Sequence, residues 1–77
     1  MARRKSITRA IVKRVRMVEL RGQLGKTQRA VALDFDVTES FIREIESGRS
    51  NPEMKFGFAL AKYFGTTVDD LFQDLAD

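Results

Sequence analysis

Residues 27–47 read TQRAVALDFDVTESFIREIES, and the spacing inside this stretch decides the fold. Threonines stand at both places where a helix would open, Thr27 and Thr38. A threonine hydroxyl there accepts from the unpaired amides of the first helical turn. After Thr27, the apolar residues Ala30, Val31, Ala32 and Phe35 fall on or beside one helical face, and after Thr38, Phe41, Ile42 and Ile45 do the same. Only Asp36 and Val37 stand between the two patterns, and so tight a join makes two short helices cross steeply. Ala32 is small enough for close approach, Asp36 can turn the chain, and Val37 anchors the turn. Ile42 and Ile45 pin the second helix to a core, which leaves Glu39, Ser40, Arg43 and Glu44 pointing outward.

This is a helix-turn-helix, placed at residues 28–47, whose second helix is suited to the major groove of duplex DNA. Gly48 stops that helix and Asn51-Pro52 makes the next turn. Beyond it, Met54, Phe58, Leu60, Ala61 and Phe64 form a fourth apolar stripe closed by Gly65, and Val68, Leu71, Phe72 and Leu75 form a short fifth helix. Phe41, Phe56 and Phe58 read as core residues. Upstream, Ile7, Ile11, Val15 and Val18, with Val12 beside them, predict a first helix capped by Ser6 or Thr8 and ended by Gly22 or Gly25. The reading is all-α: a basic N-terminal arm at residues 1–8, then a compact five-helix domain at 9–77.

The chain is 77 residues long and has neither cysteine nor histidine. Disulfides and zinc staples are thereby excluded, and no cofactor or metal is expected. Stability must come from helix packing, helped by dimerisation. Absence of cysteine fits a reducing compartment, and Lys13, Arg14 and Arg16 interrupt any signal-peptide core, so a cytoplasmic location is expected. No stretch is apolar enough to cross a membrane. Without a glycine-rich phosphate loop, and with Asp69-Asp70 reading as a helix N-terminus, an enzyme is not expected.

Charge is unevenly placed. Residues 1–29 carry ten basic side chains and one acid, Glu19, whereas residues 30–77 carry four basic and ten acidic ones. The basic third attracts polyanions, nucleic acid first and an anionic membrane surface second. Residues 1–16 could track phosphates, lie on a membrane as a basic amphipathic helix, or be a solvated extension.

The chain resembles the Cro/cI-type (XRE-type) helix-turn-helix regulators from about Val15 to Phe72. The resemblance is carried by Leu20-Arg21, Gly25, Thr27-Gln28, Val31-Ala32, Val37-Thr38, the run from Ile42 to Gly48, and Asn51-Pro52. Leu60-Ala61-Lys62, Phe64-Gly65 and the run from Val68 to Phe72 complete it. It implies a lambda-repressor-like fold and a homodimeric regulator, a repressor, bound to double-stranded DNA. In the same terms Gln28 touches the DNA backbone, Glu39, Ser40, Arg43 and Glu44 face the bases, and Thr38 caps near the DNA. Arg49 and Asn51 meet phosphates, and Arg21 with Glu46 forms an internal salt bridge. Four positions depart from the family pattern: Asp36 replaces the usual glycine of the turn, Lys26 replaces an apolar residue, and Glu39 and Glu44 bring carboxylates to the reading face. Lys26 and Arg29 join Arg43 and Arg49 as cations that offset them.

Alternatives stand beside these roles. Arg43 can pair a guanine or form an ion pair with Glu39 or Glu46 on its own helix. Val68, Leu71, Phe72 and Leu75 either close the core or form the dimer interface. The two glutamates and the acidic remainder of the chain also suit a protein-interaction module, such as an antitoxin or accessory subunit, with a protein partner and weak DNA binding.

Overall fold

The computed structural model describes residues 11–75. Five helices follow one another: α1 (Val15–Gln23), α2 (Gln28–Phe35), α3 (Glu39–Ser47), α4 (Met54–Phe64) and α5 (Val68–Leu71), with no strand among the described residues. The all-α, five-helix architecture is the one expected from the sequence.

Local chemistry sets the α2–α3 unit. Thr27 and Thr38 each accept from an amide in the first turn of the helix they open, Ala30 N–H at 3.0 Å and Phe41 N–H at 3.1 Å. Asp36 ends α2 in the left-handed conformation, φ 58° and ψ 45°. Its amide reaches Leu33 O, and Val37 N–H reaches Ala32 O at 3.0 Å, which satisfies carbonyls that the helix end would leave open. Aspartate takes the role that glycine has in the family pattern because its short side chain tolerates this backbone.

The core is one cluster. Met17 and Leu20 of α1, Val31 and Ala32 of α2, Ile42 and Ile45 of α3, and Leu60, Ala61 and Phe64 of α4 meet Leu71 and Phe72. Phe35, Phe41, Phe56 and Tyr63 form an edge-packed aromatic flank, with ring centroids 4.9–5.4 Å apart. Such pairs add to the stability given by their buried area.

Two apolar stripes differ from expectation. The first helix begins at Val15, and Ile11, Val12 and Val15 are exposed, while Met17 and Leu20 enter the core. The expected caps Ser6 and Thr8, and Ile7, lie outside the described residues, as does the 1–8 arm. Residues 11–14 are kept out of helix by a distant contact: Arg14 N–H donates to Glu46 O at 2.7 Å. On α4, Leu60, Ala61 and Phe64 of the expected stripe are buried, with Gly57 beside them, whereas Met54 and Phe58 are exposed. Gly57 faces Phe72 and Pro52, and a Cβ there would sit at ordinary contact distance, 3.8 Å, from each.

Arg14 is the strongest tie in the fold. Its guanidinium has five N–H donors, and all are engaged. Nε and Nη2 grip Asp74 at 3.0 and 2.9 Å, Nη1 donates to Ile45 O at 2.8 Å and Ser50 O at 2.7 Å, and Nη2 donates to Asn51 Oδ1 at 2.7 Å. The Phe72 ring lies beneath it, 5.1 Å away. A cation at the C-terminal end of α3 also suits the helix dipole. One side chain thus joins the segment before α1, the end of α3 and the turn after α5. Beside it, Gly48 has φ 85°, and a Cβ there would fall 2.1 Å from Val12 O, so only glycine lets the segment before α1 lie against this turn.

Two exposed carboxylates reinforce the frame. Asp70 accepts from Thr66 Oγ1 and Arg16 Nε, and Asp34 accepts from Tyr63 Oη and Lys26 Nζ. These bonds hold both carboxyls below the ordinary carboxylate range, the Thr66 and Tyr63 hydroxyls being the largest cause in each case. A lowered folded-state value favours folding above the unfolded value, and the benefit is lost as pH falls through the folded one. Urea midpoints should therefore fall on acidification between about pH 5 and pH 2, and less so in an Asp34→Asn/Asp70→Asn variant. Equal acid sensitivity of variant and parent would contradict this. Arg14→Ala should cost about 3–5 kcal/mol in urea unfolding, because it strands buried carbonyls and breaks a shielded ion pair. A cost below about 1 kcal/mol, the scale of an exposed ion pair, would deny Arg14 this place.

Candidate nucleic-acid interface

The outer face of α3 is built by its inner face. Ile42 and Ile45 are buried, and so is the carboxylate of Glu46, one position further on. Glu46 receives a two-point grip from Arg21, Nε to Oε2 at 2.5 Å and Nη2 to Oε1 at 3.2 Å. Gln28 Nε2 donates to the same Oε1 at 2.9 Å, and Arg21 Nη1 donates to Lys26 O at 3.0 Å. A buried carboxylate is tolerable only when paired and hydrogen-bonded in this way. The network fixes α1, the start of α2 and the last turn of α3 in one geometry. With the inward side so anchored, Ser40, Arg43 and Glu44 are exposed and Glu39 is partly so.

Arg43 rests on its own helix. Its Nη2 is 3.5 Å from Glu39 Oε2 and its Nη1 is 3.4 Å from Ser40 Oγ. Both contacts are long and solvent-exposed, so they restrain the guanidinium weakly. Glu46, the other possible partner, is turned inward to Arg21. Glu44 accepts from Ser50 Oγ at 3.4 Å. The face therefore presents one arginine flanked by two carboxylates and small hydroxyls, with polar groups matched to base edges rather than a block of positive charge.

The remaining candidates divide between surface and frame. Arg29 and Arg49 are exposed and their side chains have no partner among the described residues. Thr38 is exposed and caps α3. Gln28 stands at the start of α2, half-buried, with one amide N–H engaged by Glu46. Asn51 gives its Oδ1 to Arg14. Lys26 is tied to Asp34 at 2.9 Å and lies 6.0 Å from the centre of the Tyr63 ring. That carboxylate raises the lysine's affinity for its proton. The apolar stripe of the C-terminal turn also divides. Leu71 and Phe72 are wholly within the core, Val68 is half-buried, and Leu75 is exposed.

Arg14 and Asp74 belong to this site indirectly, since they hold the end of α3, and neither was a candidate from the sequence. A signal was present. Arg14 and Arg21 share a face with Met17 at spacings of three and four, which puts charged groups on the side that faces the core.

Residues 17–71 match a family model described as helix-turn-helix. A relative from Archaeoglobus fulgidus, described as an uncharacterized HTH-type transcriptional regulator, is 32% identical over 59 residues, which is 77% of this chain and 84% of the relative. Another so described, from Methanocaldococcus jannaschii, is 37% identical over 46 residues, or 60% of this chain and 70% of its own length. No solved structure gave a significant match.

The network makes unequal demands on its members. Glu46→Ala should destabilise by about 3–5 kcal/mol, because it leaves a half-buried Arg21 without its carboxylate. Gln28→Ala should cost less, about 1.5–3 kcal/mol, the worth of a hydrogen bond to a charged group, because Arg21 still pairs the carboxylate. Urea unfolding of both variants checks the ranking, and equal losses would contradict it.

Proposed function

Because this chain belongs to the helix-turn-helix family, we propose that it is a sequence-specific, double-stranded DNA-binding transcriptional regulator that reads the major groove with α3. The observation that carries the reading is the division of α3 into two faces. Ile42, Ile45 and Glu46 hold it from within, and Glu39, Ser40, Arg43 and Glu44 stand outward. Arg43 is the base reader: its two long contacts to Glu39 and Ser40 are readily exchanged for the paired acceptors of a guanine. Arg29 and Arg49, both exposed, supply phosphate contacts, and Thr38 and the start of α2 at Gln28 lie along the same strand. Lys26 and Asn51 flank this surface, the first paired with Asp34 and the second bound to Arg14, and add to its phosphate contacts.

The protein acts as a homodimer on a two-fold symmetric site whose halves lie about one helical turn apart, ~34 Å. Exposed Met54, Phe58 and Leu75, with Val68 between them, support a self-association surface on the α4–α5 side, since large apolar side chains grouped at a surface favour burial. On this reading it acts as a repressor by occupying such a site, in the cytoplasm. No described helix is long and apolar enough to cross a membrane.

The test is Arg43→Ala, measured on the duplex that the parent protein prefers and on a scrambled one. Binding to the preferred duplex should weaken by ~1–3 kcal/mol, with preference relaxed at one base position. An equal loss on both duplexes would make Arg43 a phosphate contact. Parent binding that is weak and indifferent to sequence would instead favour a protein-interaction module.

A further inference from the structure

The segment before α1 is held in place without being helical. Arg14 N–H bonds to Glu46 O at 2.7 Å, Val15 N–H closes on Lys13 O at 3.0 Å, and Val12 O lies against Gly48. Lys13 stands between these anchors, so the fold sets the position of its backbone. Its side chain is exposed and has no ion-pair partner among the described residues.

Lys13 lines an open cleft of about 360 Å³ together with Val18, Arg21, Gln28, Arg43, Glu46 and Ser47. The cleft joins the segment before α1, the start of α2 and the α3 face. Its single carboxylate, Glu46, is already matched by Arg21. Arg43 shares its charge with Glu39 over 3.5 Å. The uncompensated charge of the cleft is therefore Lys13. Gln28 keeps one amide N–H beyond the one given to Glu46, and Ser47 brings a hydroxyl whose proton goes to Glu44 O. A cation, an amide donor and a nearby guanidinium around one open cleft suit an anion with several acceptor oxygens.

We propose that this cleft is a phosphodiester site for the DNA backbone, with Lys13 as its cation, so that contact with the duplex extends past the helix-turn-helix to the segment before α1. The inference rests on the DNA-binding reading above and adds a contact from outside the motif. A lipid headgroup has the same phosphate chemistry. The cleft favours DNA because Lys13 shares it with Arg43 and the start of α2, which the reading above places on the duplex.

The test uses the full chain, with Lys13→Gln and, as a control, Lys62→Gln on the exposed surface of α4. Affinity for the preferred duplex and for a scrambled duplex is measured by anisotropy over a salt series. Lys13→Gln should make the slope of log affinity against log salt shallower by about 0.9, the release of one phosphate's counterion, with the same loss on both duplexes. Lys62→Gln should keep the parent slope. The proposal is overturned by a parent-like slope for Lys13→Gln, or by an equal change in Lys62→Gln, which would reduce the effect to net charge. It is also overturned if Lys13→Gln alters only binding to phosphatidylserine vesicles. A parent protein that binds neither duplex overturns the DNA reading itself, an outcome distinct from normal parent binding with an unchanged Lys13→Gln slope.

Discussion

The Arg14 guanidinium is the constraint on which the rest of the structure depends. Its five donors reach Asp74, Ile45, Ser50 and Asn51, and its plane lies on Phe72. A small core without disulfide or metal gives limited stability, so a single buried, fully satisfied ion pair has unusual weight here. Arginine is suited to the task because its donors form a rigid fork, whereas a lysine would offer a point charge to partners in several directions. The residue closes the N-terminal segment onto the C-terminal turn and finishes the last carbonyls of α3 at the same time.

A second charged node, Arg21–Glu46–Gln28, anchors α3 from the other side. Between them the two nodes hold the helix at its last turn and along its buried edge. This explains how a short helix with an exposed, nearly charge-balanced face keeps one orientation. Its outward side chains interact only weakly with each other, through contacts of 3.4–3.5 Å, and so remain available to a ligand. Affinity for a polyanion then has to come from around the helix, from Arg29, Arg49 and the basic chain that Arg14 leads to.

What could be read from the sequence follows the range of the interactions involved. The α2–turn–α3 unit depends on caps, a turn residue and apolar spacing within about twenty residues, and all of it was legible. The same is true of the outward set Glu39, Ser40, Arg43 and Glu44. The start of α1 was not, because Arg14 and Glu46 are far apart in the chain and a local pattern contains no trace of their hydrogen bond. On α4, Leu60, Ala61 and Phe64 were placed correctly on the inward side, whereas Met54 and Phe58 were not, because the helix is apolar on several sides and spacing alone does not choose among them. Gln28 and Asn51 were read as DNA contacts from the family resemblance and Lys26 from its charge, and each also has a partner within the fold that sequence spacing did not reveal.

The proposed function rests on α3 as a reader of duplex sequence. Selection of bound duplexes from a random library, at a stated salt concentration, tests that most directly. The account predicts a palindromic consensus with half-site centres about one helical turn apart, ~34 Å. Recovery of unenriched sequence at every position, with binding that tracks salt alone, would contradict it.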